Sequence, residues 1–79
     1  MKNGYKFIDT FNDRVISRHH TERGACAASA KFFRAFRRNN SPGSYLPTEI
    51  VHIVDGLPVG TIIYEVDCDG ISSIYEEAI

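Results

Sequence analysis

No lysine or arginine occurs beyond position 40 of this 79-residue chain. Long apolar runs are missing too: nothing approaches the ~18 residues a membrane-crossing helix needs, and the first residues lack the apolar stretch of a secretory leader. A soluble, cytoplasmic protein with no membrane partner is the expectation. Cysteine is scarce. Cys26 and Cys68 alone cannot make a disulfide framework, and two small buried or half-buried thiols are expected rather than a bridge. Glycine-rich phosphate loops, dinucleotide fingerprints and nucleophile elbows are absent. His19, His20, Cys26, His52 and Cys68 follow no zinc spacing, and neighbouring histidines on a strand point to opposite sides. Asp67, Asp69 and Gly70 resemble the start of a calcium loop, but Ser73 and Tyr75 depart from the pattern. A chain this short rarely builds a deep pocket. No catalytic residue, metal or cofactor is therefore expected, and the protein reads as a non-enzyme.

What is present is a pronounced charge asymmetry. All nine basic residues fall in positions 1–40, against Asp9, Asp13 and Glu22, for a balance of +6. Positions 41–79 carry Glu49, Asp55, Glu65, Asp67, Asp69, Glu76 and Glu77, for a balance of −7. The near-neutral total thus conceals two opposite poles, a pattern that points to a charged partner. The competing reading is that the halves simply attract each other within the fold, where surface pairs contribute little.

Thr21 to Arg38 reads as the single long helix. Ala25, Ala28, Phe32, Ala35 and Phe36 recur at the spacing of a buried stripe, with Ser29 within it and Cys26 and Phe33 at its flanks. Arg23, Lys31, Arg34, Arg37 and Arg38 fall on the other side. Thr21 is a suitable N-cap, Glu22 suits the positive helix start, and Arg37 and Arg38 suit the negative end. Asn39 and Asn40 accept the left-handed conformation that stops a helix, and Pro42 keeps it stopped.

Strands are expected on both sides. Tyr5 to Phe11 places Tyr5, Phe7 and Phe11 on one side. Asn12-Asp13 reads as a two-residue turn, and Arg14 to His19 returns with Arg14, Ile16 and Arg18 together. Asn39 to Pro47 is a loop that Tyr45 and Leu46 anchor to the core's edge. Thr48 to Val54 and Val59 to Asp67 form a hairpin around Asp55 to Pro58. After Asp69-Gly70, Ile71 to Tyr75 reads as a last edge strand, with a helical turn over Ser72 to Ile79 as the alternative. The whole is one α+β domain over residues 1–79, in the order β-β-α-β-β with a possible fifth strand. Its antiparallel sheet carries one amphipathic helix on one face. Val51, Ile53 and Ile63 alternate against the inward set, so some of them belong to the uncovered face, where an apolar patch favours dimerisation or docking.

The candidate binding surface is then Arg23, Lys31, Arg34, Arg37 and Arg38, joined by Arg14, Arg18 and Lys6 from the first hairpin. Arginine is the residue best suited to bidentate contact with phosphate or carboxylate. The helix cations spread over ~25 Å, which suits an extended backbone or groove rather than one small molecule. A sequence pI near 6.3 weighs against a dedicated nucleic-acid binder, whose pI usually exceeds ~9. A protein or ribonucleoprotein partner suits the two poles better.

In length, one-helix antiparallel order, charge clustering and lack of catalytic motifs, the chain resembles the small phage-encoded anti-CRISPR proteins that act on type I (Cascade) systems. These share no signature, so no residue transfers by motif. The resemblance implies a non-enzymatic, stoichiometric inhibitor, working in the cytoplasm of a phage or mobile element's host. It would bind the RNA-guided complex through a charged surface and prevent target-DNA binding. It also implies that acids, here Glu65, Asp67, Asp69, Glu76 and Glu77, can act as DNA mimics. Two other readings stand beside it: a small nucleic-acid-binding regulatory domain of a mobile element, and an assembly module that dimerises through the uncovered sheet face. Monomer or weak homodimer is the expected state.

Overall fold

The computed structural model describes residues 2–41, 43 and 46–79. Five strands and one helix follow in the order β1 (Gly4–Asp9), β2 (Arg14–His19), α1 (Glu22–Asn39), β3 (Thr48–Val54), β4 (Leu57–Asp67) and β5 (Gly70–Ala78). The strands form one antiparallel sheet in the order β2-β1-β3-β4-β5, so the domain is α+β as expected. β2 and β3 both pair antiparallel with β1 and hence run the same way. Parallel strands cannot be joined by a tight turn. The connection must cross β1, and α1 makes that crossing. The shortest axis of the molecule, 19 Å, accommodates the sheet and one helix layer; on the sheet face away from α1, Val51 and Ile53 are nevertheless only 7% and 6% exposed.

Cross-strand partners share a face, so the register sorts the core. Tyr5, Phe7 and Asp9 line up with His52, Ile50 and Thr48. Ile50 lies opposite Ile62, and Tyr64 opposite Ile74. This is the face α1 covers: Phe7, Ala25, Cys26, Ile50 and Ile62 form the buried cluster, flanked by Tyr5, Ile16, Phe32, Phe33, Tyr64, Ile71 and Ile74. Phe7 meets Phe32 edge-on at 5.4 Å.

The helix begins as its sequence predicts. Thr21 is the N-cap, its hydroxyl accepting from the Gly24 amide at 3.0 Å. Two details differ. The residues turned inward are Ala25, Cys26 and Ser29 with Phe32 and Phe33, whereas Ala28 is half-buried and Ala35 exposed. The buried stripe is thus rotated by roughly 70° from the one the apolar spacing suggests, at 100° per residue. Ser29 is buried as expected, its Oγ accepting from the Tyr64 hydroxyl at 2.8 Å; the difference is that the flanking Cys26 and Phe33 turn inward in place of Ala28 and Ala35. At the other end Asn40 is extended, with φ −132°, instead of left-handed. Its side-chain amide donates back to the Phe36 carbonyl at 2.7 Å, which satisfies a terminal carbonyl without a positive φ. Pro42 and Tyr45 lie outside the described residues. Leu46 is half-buried.

The first turn is also rebuilt. β1 stops at Asp9, and Phe11, expected beside Tyr5 and Phe7, lies in the turn 76% exposed. Asp9 is fully buried, its carboxylate accepting from the amides of Phe11 (2.9 Å) and Asn12 (3.1 Å) and from Asn12 Nδ2 (2.7 Å). Asp13 takes the positive φ of 52°. These bonds, the Asn12 side chain first, hold the Asp9 carboxyl below its ordinary 3.8. Its contribution to stability is therefore complete above that ordinary value and disappears as pH falls through the lowered one. Asp9→Asn should reduce the melting temperature by several degrees at neutral pH, and the gap to wild type should narrow at acid pH as the wild-type carboxyl becomes protonated. Thermal melts by circular dichroism at both pH values decide it, a pH-independent gap being the contrary result.

The β3–β4 turn is Asp55-Gly56 alone, both residues at positive φ (52° and 80°), as a two-residue hairpin loop requires. Leu57 and Pro58, expected in the turn, already belong to β4. Pro58 is tolerated because β5 pairs only from Gly60 onward, so no ladder hydrogen bond is lost there. β5 itself runs through Ala78. The strand reading of the C-terminal segment holds, extended by Gly70 at its start and by Glu76 to Ala78 at its end, and the helical alternative does not occur.

Candidate partner-binding surface

Arg23, Lys31, Arg34, Arg37 and Arg38 are all exposed. Among the described residues the carboxylate contacts of basic side chains are Arg14–Asp9 (3.8 Å) and His52–Glu76 (2.6 Å), so none of the five helix cations is neutralised by a carboxylate. The rotation of α1 divides them. Lys31 and Arg38 point most directly away from the sheet, while Arg34 and Arg37 lean toward β4. There they border a groove of about 540 Å3, whose floor is Ala30, Phe33, Phe36, Leu46, Tyr64 and Val66 and whose far lip is Asp67. Arg37 is steadied by a hydrogen bond from its Nε to the Phe33 carbonyl at 3.4 Å. An exposed apolar side chain such as Val66, 55% accessible, beside two arginines offers both anchoring and charge contact.

The first hairpin does not join this surface. Ile16 is an extra residue in β2, because Phe7 faces Ser17 while Ile8 faces Val15. Such a bulge resets the alternation. Arg14 and Arg18, expected together, therefore lie on opposite faces: Arg14 opposite Asp9, and Arg18 opposite Lys6 on the uncovered side. Only Arg14 shares the helix side, and it is paired to Asp9.

The acids are dispersed as well. Asp67 and Asp69 sit at the β4–β5 turn, where Asp67 accepts from the Asp69 amide at 2.8 Å. Glu65 accepts from the Ser73 hydroxyl at 3.5 Å. Glu76 faces the helix side and Glu77 the uncovered side. The five acids therefore share the β4–β5 edge and its turn and are divided between the two faces of the sheet.

One constellation belongs to no sequence motif. His52 Nδ1 lies 2.6 Å from Glu76 Oε1, its ring stacks on Tyr5 at 4.6 Å and 13°, and the Tyr5 hydroxyl donates to Glu22 at 3.3 Å. Burial, then the Glu22 charge, pushes the Tyr5 phenol upward. The His52–Glu76 contact exists because Gly60, opposite His52, has no side chain. A Cβ there would meet Glu76 Cγ and the Glu77 carbonyl, each at 2.9 Å. The glycine inside a β-branched strand was the available hint. The group ties β1, β3, β5 and α1 together. Among the described residues no cluster of metal-binding side chains occurs.

The two cysteines are free, Cys26 buried and Cys68 exposed, the latter more open than expected. Burial pushes the Cys26 thiol above its ordinary value, so it is a packing group and a poor nucleophile. A thiol reagent added to the native protein should label Cys68 within minutes and Cys26 only after denaturation, as mass spectrometry would show. Equal labelling of both would contradict this packing.

No protein family matches the chain, and neither a characterised protein nor a solved structure gives a significant match.

Proposed function

We propose that this chain is a non-enzymatic binding protein that docks on a macromolecular partner through the cationic outer surface of α1. The partner in this proposal is a type I CRISPR surveillance complex, whose target-DNA binding the protein blocks. One observation supports the binding surface: Arg23, Lys31, Arg34, Arg37 and Arg38 remain exposed and unpaired by carboxylates among the described residues, although the chain carries seven acids after position 40. The choice of partner rests on the resemblance in size, strand–helix order and charge polarity. The division of the acids between two sheet faces and a turn favours the basic pole in this reading. Mixing the protein with a purified type I complex should give a stoichiometric complex on size exclusion and reduce capture of target DNA. Failure to co-elute at low salt would refute the choice of partner.

The same exposed arginines favour a second reading, a nucleic-acid-binding regulatory domain of a mobile element. Binding would then be carried by phosphates, with a slope of about −0.9 in log K against log salt for each phosphate neutralised on duplex DNA. A gel-shift series across salt separates the two: the first reading needs the assembled complex, and the second needs only DNA or RNA.

A further inference from the structure

The sheet face opposite α1 carries an ordered row across all five strands. Arg18 (β2), Lys6 (β1), Val51 (β3), Thr61 (β4) and Glu77 (β5) are successive cross-strand neighbours. Its β2 end is positive and its β5 end negative; at its centre Val51, between Lys6 and Thr61, is only 7% exposed, and Ile53 beside it on β3 only 6%. Around the centre, Ile8 and Val15 are half-buried partners on β1 and β2, and on β4 and β5 half-buried Ile63 faces Tyr75, which is 49% exposed. Nothing on this face contributes to the helix-side core.

From this arrangement we infer that the uncovered face is a self-complementary interface for a second copy of the chain, packed sheet on sheet about a two-fold axis parallel to the strands. That axis exchanges β2 with β5 and β1 with β4 and leaves β3 over itself. Arg18 then meets the second copy's Glu77, Lys6 approaches Thr61, and β3 lies over its own counterpart. The alternative two-fold, across the strands, would stack β2 on β2 and set Arg18 against Arg18. Charge selects the first arrangement. Five strands ~4.8 Å apart, about six residues long at ~3.3 Å each, give a face of roughly 24 by 20 Å. Two such faces bury about 1,000 Å2, the lower bound for a specific interface. The dimer is accordingly weak and concentration-dependent. Glu49 also lies on this face of β3, opposite Ile8, and meets its own copy near the axis, so it limits the affinity.

The test is a charge exchange on the full chain, read by sedimentation velocity over a concentration series. Arg18→Glu and Glu77→Arg should each weaken dimerisation by about tenfold through like-charge contact. The double variant should recover it, and Glu49→Gln should tighten it. Both exchanged residues are exposed, and circular dichroism verifies that each variant is folded. A wild-type monomer at millimolar concentration overturns the inference. So does a dimer that the single exchanges leave intact, or one the double exchange fails to restore, since another surface would then be responsible. The proposed partner surface on α1 lies on the opposite face of the sheet, so the exchange variants should bind that partner like wild type.

Discussion

Phe7→Ala should leave the domain at or beyond the edge of unfolding at physiological temperature. Phe7 is 1% exposed, faces Ile50 across β1–β3, and packs edge-on against Phe32; among the described residues it is the one fully buried aromatic ring. Truncating a buried phenylalanine costs about 3–5 kcal/mol, combining lost transfer energy with the cavity left behind. A chain of 79 residues has roughly 4–12 kcal/mol in total, so the loss is a large share of the whole. Urea titration followed by circular dichroism measures it. Phe11→Ala is the control: that ring is 76% exposed, and its loss should change stability by less than about 0.5 kcal/mol. Comparable losses at the two positions would mean that the core is not where the register puts it.

Reversing Arg34, Arg37 and Arg38 together to glutamate should abolish partner binding while leaving the fold intact. All three are exposed, and no carboxylate among the described residues is paired with them, so few native contacts are lost. The expected loss is at least about 100-fold in affinity, because a central arginine alone is worth about 2 kcal/mol or more and repulsion adds to its removal. The singles should differ. Arg34 and Arg37, at the lip of the apolar groove, should act mainly on dissociation, and Arg38 on association rate and salt dependence. Surface plasmon resonance across ionic strength reads both effects. Binding that survives the triple reversal would place the docking surface elsewhere on the molecule.

The element order was legible before any coordinates. Turn residues and β-branched runs marked the strands, and Thr21 marked the helix start, because each is a local preference of the backbone. The misreadings have one common origin. Arg14 and Arg18 were paired by simple alternation, which a single extra residue in β2 overturns. The periodicity of α1 does not choose between its flanks, and contact with the sheet turns Cys26 and Phe33 inward rather than Ala28 and Ala35. Phe11 was placed in β1 because nothing in its own identity reveals that the Asp9 carboxylate turns the chain before it.

The amino-acid sequence by itself determined the class of fold, the number of helices, the separation of charge along the chain and the lack of any metal or nucleophile motif. These follow from composition and short-range periodicity, which act within a few residues. Tertiary structure decided which charges share a surface: it kept the helix cations free of the acids, moved Arg18 to the far side of the sheet, scattered the carboxylates and brought His52 to Glu76 over Gly60. Strand order and bulges fix those proximities, and both arise from long-range pairing that no local stretch of the chain encodes.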